Sequence, residues 1–272
     1  MLGLVQGVTE FAPISSSGHL ILVPWLFGWS ILDDPALNKT FDVALHVGTL
    51  VGALVYFRAD VWRYARAWVR SVRARRIETT DERLAWVLAI GTLPGAIAGV
   101  VLGDVIQERL GQPWLIASML AVFGILLWAV DRGAPSKMGV EGITVRRGLA
   151  LGVAQAVAFQ PGVSRSGVTI TAARAMGIDR ASAARFSFLL ALPIIAGAGL
   201  FRGIDLVRDG FGGYGAQFVW GFLSSAVSGF LVIWGLLRYL RRRDYRLFLL
   251  YRLAAAALVL GFILSNARPA SI

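Results

Sequence analysis

The sequence predicts an all-α integral membrane protein: an inverted-topology repeat with about six transmembrane helices and two re-entrant helix–loop–helix segments that meet near the bilayer midplane. Composition is the first reason, because 57% of the 272 residues are hydrophobic and only 16% are charged. The second reason is that apolar residues come in blocks of about twenty, the length that a helix needs to cross a bilayer. The third is that two further apolar stretches are interrupted by Pro, Gly and Ser and resemble each other.

Six apolar blocks have the length and composition of spanning helices. They cover residues 41–57, 84–104, 114–130, 183–202, 217–237 and 247–265. The mean hydropathy of the whole chain, +0.67, agrees with a protein for which the bilayer is the main solvent.

Positive charge concentrates in three of the segments between these blocks. Segment 58–83 contains eight Arg, 131–147 contains three Arg and one Lys, and 238–246 contains five Arg. Segments 105–113 and 203–216 contain one Arg each. Because arginine-rich loops stay in the cytoplasm, the first three segments are predicted to be cytoplasmic, and both chain termini are predicted to lie outside. The same placement explains the formal net charge of +11 without nucleic-acid binding.

The two interrupted stretches, 1–20 and 148–172, are predicted to be re-entrant, since a full crossing by either would invert the arginine bias of the segments that follow. Gln6–Gly18 aligns without gaps on Gln155–Gly167, with five identities in thirteen positions. Each stretch is followed by three predicted spans, and an odd number of spans gives the two halves opposite orientations. We therefore expect the two loop tips to meet near the midplane, where inverted-repeat proteins place their binding sites.

This repeat divides the chain into three parts. They are a first half, 1–130, a cytoplasmic connecting loop, 131–147, and a second half, 148–265. The chain has no cysteine, which excludes disulfides and thiolate chemistry.

The second re-entrant loop, with the sequence PGVSRSGVT at Pro161–Thr169, has the composition of an anion-binding site. Arg165 offers a planar guanidinium that can bind two phosphate oxygens. Further backbone and hydroxyl contacts to the anion are expected from Gly162, Ser164, Ser166, Gly167 and Thr169. A small-residue helix-packing surface would also be rich in Ser and Gly. An unpaired arginine inside the membrane costs several kcal/mol, however, and this favours anion binding.

The first re-entrant loop contains groups that catalysis requires. Gln6 and Glu10 are four residues apart and therefore share a helix face. The polar residues that follow are Ser15, Ser16, Ser17 and His19. Ser15 and Ser17, together with Gln6, are expected to contact the substrate. A carboxylate at membrane depth needs a proton, an arginine or a cation as its partner, and Mg²⁺ or Ca²⁺ held by Glu10 and phosphate oxygens would satisfy it. The other histidine, His46, lies on the apolar face of a predicted span and is expected to be structural.

An anion-binding loop beside a carboxylate, a hydroxyl and an imidazole suggests phosphoryl transfer, and a site inside the bilayer suggests a substrate with a hydrocarbon tail. In these motifs the chain resembles the undecaprenyl-diphosphate phosphatase family of bacterial inner membranes, the bacitracin-resistance type. The family has a Glu/Gln-x-x-x-Glu motif, a Pro-x-Ser-Ser-x-Gly-His segment and a Pro-Gly-x-Ser-Arg-Ser-x-x-Thr motif. They read QGVTE, PISSSGH and PGVSRSGVT in this chain, and the resemblance covers essentially its whole length.

The resemblance implies hydrolysis of undecaprenyl diphosphate to undecaprenyl phosphate and inorganic phosphate, which recycles the carrier lipid for peptidoglycan synthesis. It implies that Glu10 is catalytic and binds the cation, that Arg165 clamps the diphosphate, and that Ser16 and His19 supply the nucleophile and the base. Which of those two attacks phosphorus stays open. Gln6 occupies the first acidic position in its amide form, which leaves one carboxylate for the cation. Members of the family have more helix before this position. We also expect a homodimer.

A lipid-phosphate flippase or transporter is the alternative, because inverted repeats with midplane loops are also a transporter architecture. The cluster of Glu10, Ser16 and His19 favours the enzyme, since binding alone needs no nucleophile. A purely structural membrane protein would leave Glu10 and Arg165 without a purpose.

Overall fold

The computed structural model describes residues 1–29, 35–209 and 213–271, and it describes side chains in these ranges except at 35–37, 102–109 and 202–209. The described chain is helical, with one isolated β-bridge between Met138 and Ile178. The helices are α1 (Leu2–Phe11), α2 (Ser16–Phe27), α3 (Pro35–Tyr56), α4 (Arg58–Ala74), α5 (Thr80–Leu110), α6 (Pro113–Gly133), α7 (Val145–Val157), α8 (Arg165–Ala175), α9 (Arg180–Asp209), α10 (Gly215–Tyr239) and α11 (Arg246–Leu264), with a 3₁₀ turn at Val140–Gly142.

Five helices, α5, α6, α9, α10 and α11, contain segments that are long and apolar enough to cross a membrane. A sixth span is formed if α3 and α4 are taken together, although the two helices are bent by 83° at the break between them. The paired short helices α1–α2 and α7–α8 correspond to the two predicted re-entrant segments and extend them to Phe27 and Ala175. The all-α integral membrane fold predicted from the sequence is confirmed.

The sequence predicts a loop over 58–83, but the structure has a helix, α4, over most of it. The number of arginines suggests a loop, but their spacing is that of an amphipathic helix. One face of α4 buries Tyr64, Ala67 and Ser71, and Ser71 Oγ accepts a hydrogen bond from Trp86 Nε1 of α5 at 2.9 Å. The arginines lie on the remaining, exposed faces.

The sequence also predicts loops over 105–113 and 203–216. In the structure part of each segment is helical, because α5 continues to Leu110 and α9 to Asp209. Their charged residues suggest an early end of the span, but positions 105–110 contain neither proline nor glycine, and α5 continues until Gly111. Positions 210–212 of the second segment lie outside the described residues.

Small residues let the re-entrant helices approach their neighbours closely. A Cβ on Gly7 of α1 would lie 2.7 Å from the carbonyl oxygen of Ser225 in α10, and a Cβ on Gly152 of α7 would overlap the carbonyl oxygen of Gly91 in α5. Such contacts between small residues are the main way in which membrane helices pack. Each re-entrant helix therefore packs on a spanning helix from the other half of the chain, and this interlocking brings the two loops together.

The three arginine-rich segments meet at one end of the bundle. Arg83 Nη2 donates to the carbonyl oxygen of Glu141 at 2.7 Å. The hydroxyl of Tyr245 donates to the carbonyl oxygen of Arg180 at 3.2 Å, and burial raises the pKa of this hydroxyl, so it remains a neutral donor. Asp131 is buried and pairs with Arg174. The first contact joins segment 58–83 to segment 131–147, the second joins segment 238–246 to the beginning of α9, and the third joins segment 131–147 to α8.

Candidate active site

The loop between α1 and α2 contacts the loop between α7 and α8. The backbone N–H of Gly162 donates to Ser15 Oγ at 3.0 Å, and Ser166 Oγ donates to the carbonyl oxygen of Ala12 at 3.2 Å. Both donors come from the second loop and both acceptors from the first. The candidate site is therefore assembled from two segments about 150 positions apart in the chain.

The two loops have the same local geometry. Ser15 and Ser164, which the repeat aligns with each other, have φ angles of 76° and 78°. The left-handed region is unusual for a residue with a Cβ and is retained mostly where the surroundings require it. Each serine caps the helix that follows, Ser15 by accepting from Gly18 N–H at 3.4 Å and Ser164 by accepting from Gly167 N–H at 3.1 Å. The next residues are the first residues of the helices: Ser16 begins α2 and Arg165 begins α8, each beside the other loop.

Glu10 is the centre of the site. Its carboxylate is almost fully buried, and Oε2 accepts hydrogen bonds from Ser16 Oγ at 2.6 Å and from Gln6 Nε2 at 2.9 Å. The spacing of four residues on α1 places Gln6 and Glu10 on one helix face, as predicted. Ser16 is only partly buried, so its hydroxyl is both polarised by a carboxylate and accessible to a ligand.

Arg165 faces the same carboxylate from the second loop. Its Nη1 lies 3.8 Å from Glu10 Oε1, which is too long for a hydrogen bond. Among the described residues, this buried Nη1 has no hydrogen-bond partner, and neither does the buried Oε1 of Gln6. An unused donor and an unused acceptor beside one carboxylate are costly in a folded protein and are expected where a ligand completes the hydrogen bonding.

His46 also lies at this site, although the sequence suggests a structural role for it. Its Nε2 is 3.5 Å from Glu10 Oε2, and its Nδ1 is 2.8 Å from the carbonyl oxygen of Asp42 one turn earlier on α3. The contact joins α3 to α1. It depends on how these two helices pack, and no local sequence pattern predicts it.

His19 is placed differently from the expectation that it works directly with Ser16. Its Nδ1 lies 2.7 Å from the carbonyl oxygen of Ser15, and its Nε2 lies 2.7 Å from the hydroxyl of Tyr251. Its ring also stacks on Tyr251, with 5.6 Å between the ring centroids. Both ring nitrogens are therefore engaged by groups other than Ser16 and Glu10, and His19 supports the backbone of the loop.

The remaining predicted ligands lie around the loops in several roles. Ser164 Oγ and Ser166 Oγ are 3.1 Å apart, and Ser15 Oγ and Ser17 Oγ are 3.5 Å apart. Thr169 bonds inside the protein, to the carbonyl oxygen of Arg165 and to Ser187 of α9. The glycines serve the shape of the second loop: Gly162 has a φ of +94°, and a Cβ on Gly167 would approach the guanidinium of Arg252 to 3.1 Å.

Arg252 is a residue that sequence reasoning missed. It lies on α11 with no exposed surface, and it donates to the carbonyl oxygens of Pro13 in the first loop at 3.0 Å, of Gly162 in the second loop at 2.6 Å, and of Leu120 in α6 at 2.8 Å. Within the described residues it forms no ion pair with a carboxylate. An arginine inside the predicted span 247–265 is the signal that could have identified it, since an intramembrane charge demands partners.

Divalent-cation binding depends on few groups here. Among the described residues, no three His, Asp or Glu side chains come together as a metal-binding group. Glu10 and the unbonded Oε1 of Gln6 nevertheless supply adjacent oxygen donors, and hard cations take oxygen ligands from carboxylates, amides and phosphates. The residues present therefore fit a cation that is shared with a phosphate-bearing ligand.

A protein-family model described as bacitracin resistance protein BacA matches residues 1–258. The chain is 45% identical to the undecaprenyl-diphosphatase of Desulforudis audaxviator over 254 residues, which cover 93% of this chain and 92% of that one. It is also 45% identical to the undecaprenyl-diphosphatases of Pelotomaculum thermopropionicum and Geobacter sulfurreducens over 268 residues, which cover 98% of this chain and 96% and 97% of those proteins. With a match of this extent, the chain belongs to the bacitracin resistance protein BacA family.

Proposed function

We propose that this protein hydrolyses undecaprenyl diphosphate to undecaprenyl phosphate and inorganic phosphate in the bacterial inner membrane. The observation that carries the proposal is the 2.6 Å hydrogen bond from Ser16 Oγ to Glu10 Oε2, with the unbonded Nη1 of Arg165 facing the same carboxylate. A hydroxyl bonded to a carboxylate is an activated nucleophile, and an arginine with a free donor is a phosphate ligand. The relatives at 45% identity, named undecaprenyl-diphosphatases, support the same substrate.

The geometry suggests a division of roles. Ser16 Oγ attacks the terminal phosphorus while its proton passes to Glu10 Oε2. The bond from that phosphorus to the bridging oxygen breaks, and undecaprenyl phosphate leaves with the bridging oxygen and its electron pair. Water then attacks the phosphorus of the phosphoserine, the bond from that phosphorus to Ser16 Oγ breaks, and Glu10 returns its proton to Ser16 Oγ. Inorganic phosphate leaves with the oxygen and the protons of the water. Arg165 holds the phosphate oxygens throughout, because a fixed guanidinium stabilises charge that spreads over those oxygens in the transition state.

A divalent cation, Mg²⁺ or Ca²⁺, belongs to this proposal. Glu10 and Gln6 Oε1 would hold it together with oxygens of the diphosphate, and when bound it would neutralise negative charge on the substrate. Loss of activity with a chelator, and recovery with either ion, tests this part.

The substrate's polyprenyl tail has a suitable surface beside the site. On α1, Leu4 and Val8 are exposed, and on α7, Leu149, Val153 and Val157 are exposed. The members of each set are four residues apart and form an apolar stripe on one face of the helix. Both re-entrant helices thus turn a lipid-facing stripe outward while their other face holds the loops.

Two further parts of the proposal concern the whole protein. The arginine-rich end of the bundle faces the cytoplasm and both chain termini lie on the other side, in agreement with the positive-inside rule.

The second part is that two copies form a homodimer. It is supported by Ala257 and Gly261, exposed small residues four apart on α11, since such pairs promote association of membrane helices. Cross-linking in membranes, compared between the wild type and Gly261→Leu, tests the dimer.

The decisive experiment measures phosphate release by the purified protein from undecaprenyl diphosphate. We expect Ser16→Ala to lose at least a hundredfold in rate and to form no phosphoserine detectable by mass spectrometry after rapid quenching. Ser17→Ala is the matched control, because Ser17 is on the same loop but bonds only weakly to Ser15, and it should lose far less. Phosphate release by Ser16→Ala at the wild-type rate would exclude Ser16 as the nucleophile. If the wild type moved a labelled lipid phosphate across liposomes without releasing phosphate, the transporter would replace the enzyme.

A further inference from the structure

A groove of about 480 Å³ lies at the arginine-rich end of the bundle, between the end of α6 and the beginning of α11. It is separate from the candidate active site. Leu120 of α6 contacts Arg252 beneath the two loops of the candidate active site. The groove residues Trp128 and Arg132 lie further along α6, roughly 12 and 18 Å of helix beyond Leu120. No function described above uses the groove.

The negative charge beside this groove is already neutralised. Arg180 Nε donates to both carboxylate oxygens of Asp131, at 2.9 and 3.0 Å. Arg174 Nε donates to the same carboxylate at 2.7 Å. One carboxylate is thus shared by two guanidiniums, and the side chain of Arg180 remains 33% exposed, so the Asp131 cluster presents net positive charge to the groove.

Two more arginines line the groove. Arg132 and Arg246 are exposed and, within the described part of the chain, form no ion pair. The second carboxylate, Asp244, accepts a hydrogen bond from the backbone N–H of Arg246 at 3.1 Å. Three arginines and two aspartates therefore line the groove, and the buried Arg174 behind it also pairs with Asp131. The first turn of α11, which has no side-chain cap, adds the positive end of a helix dipole. The groove is built for an anion.

The other walls of the groove are apolar. They consist of Trp128, whose ring lies 5.6 Å from the guanidinium carbon of Arg132, together with Leu249 and Leu250. Leu250 is more than half exposed on the membrane-facing surface of α11. A free inorganic anion would gain no binding free energy from these apolar walls. A lipid, in contrast, would place its phosphate on the arginines and its hydrocarbon chains along the leucines.

We infer that this groove binds the phosphate headgroup of an anionic phospholipid from the leaflet at the arginine-rich end. The guanidiniums of Arg132, Arg180 and Arg246 form hydrogen bonds to the phosphate, and the acyl chains follow Leu249 and Leu250 down α11. Trp128 lies at the level where tryptophans anchor membrane proteins to the headgroup region. The inference is independent of the proposed hydrolysis and of its substrate.

The test uses the full-length protein purified in detergent, with bound lipid counted by native mass spectrometry during titration with phosphatidylglycerol or phosphatidylcholine. We expect the wild type to retain phosphatidylglycerol in preference to phosphatidylcholine. The double variant Arg132→Gln with Arg246→Gln should lose at least tenfold in affinity for phosphatidylglycerol. The matched control is Arg66→Gln with Arg73→Gln, which removes the same charge from exposed positions on α4 and should bind like the wild type.

Three outcomes would overturn the inference. The groove variant could bind phosphatidylglycerol as tightly as the wild type, or the α4 variant could lose as much affinity, which would mean attraction by diffuse charge. Displacement of the lipid by millimolar inorganic phosphate would show that the groove recognises a free anion and not a lipid. A thermal unfolding scan of each variant in lipid-free detergent verifies that the fold is intact, since all four substituted arginines are exposed and should leave the midpoint unchanged.

Discussion

At the scale of single residues, the hydrogen bond between Glu10 and Ser16 is the contact on which the proposed chemistry depends. A nucleophile and the base that accepts its proton act as one unit, and the effects of removing units of this kind are strongly non-additive. We therefore expect Ser16→Ala and Glu10→Gln each to lower phosphate release at least a hundredfold, and the double variant to be no slower than the poorer single variant. Rates of phosphate release for the three variants provide the measurement.

Additive losses for Ser16 and Glu10 would contradict this prediction. If each single substitution costs only a few-fold and the two losses multiply in the double variant, the pair does not act as a unit. His46→Gln serves as the comparison, because it keeps a hydrogen-bonding group near Glu10 Oε2 and should leave Ser16 activated, with a loss of less than tenfold.

Arg252 shows how one buried residue organises both loops. Its guanidinium bonds to carbonyl oxygens of both loops and of α6, and each buried carbonyl that loses its donor costs about 1–3 kcal/mol. We expect Arg252→Met to lower the midpoint of thermal unfolding by several degrees and to lower activity together with it. Arg252→Lys, which has fewer and differently arranged donors, should fall between the wild type and Arg252→Met. A wild-type midpoint in Arg252→Met would show that these hydrogen bonds contribute little, and the exposed Arg246→Gln on the same helix is the control.

At the scale of helices, the packing of α1 on α10 determines where Glu10 lies. Gly7 is one turn before Glu10, and its Cα approaches the backbone of α10 so closely that a Cβ would lie 2.7 Å from the carbonyl oxygen of Ser225. Gly7→Ala therefore has two opposed effects: a gain of about 1 kcal/mol in helix propensity, and an overpacking cost of about 1–3 kcal/mol that moves α1 away from α10.

We expect the overpacking to dominate, so that Gly7→Ala lowers both the unfolding midpoint and the rate of phosphate release. Gly235→Ala on α10 is the matched control, because a Cβ there would meet no atom within 4 Å, and it should be neutral or stabilising. Equal midpoints for the two variants would mean that α1 tolerates displacement and that close packing does not position Glu10.

At the scale of the whole molecule, the sequence predicts those parts of the fold that depend on composition and on a repeated pattern. The apolar blocks predict the spanning helices, and the alignment of Ser15 with Ser164 predicts two similar loops. In the structure these two serines have nearly equal φ angles. Properties that arise from contacts between distant segments are not predictable in this way. His46 reaches Glu10 only because α3 packs beside α1, and Arg252 reaches Pro13 across 239 positions of the chain.

We predict the orientation of the bundle in the membrane from how its two ends are built. The arginine-rich segment 238–246 joins the beginning of α9 through Tyr245. The C-terminal tail instead lies against the end of α2, where Trp25 Nε1 donates to the carbonyl oxygen of Pro269 at 3.1 Å. Between them, α11 has 19 residues, roughly 28 Å of helix, which nearly matches a hydrocarbon core of about 30 Å. The two ends of α11 should therefore lie on opposite sides of the membrane, with the arginines inside.

Because the chain has no cysteine, single cysteines can report this orientation directly. We expect Ala270→Cys to react with a membrane-impermeant maleimide in intact spheroplasts, and Arg242→Cys to react only after the membrane is permeabilised. Both positions are exposed in the structure, so the membrane and not burial decides their reactivity. A third variant, Arg73→Cys on α4, should behave like Arg242→Cys, since the arginine-rich segments share one end of the bundle. Labelling of Arg242→Cys without labelling of Ala270→Cys in intact spheroplasts would invert the topology, and labelling of both would show that α11 does not cross the membrane.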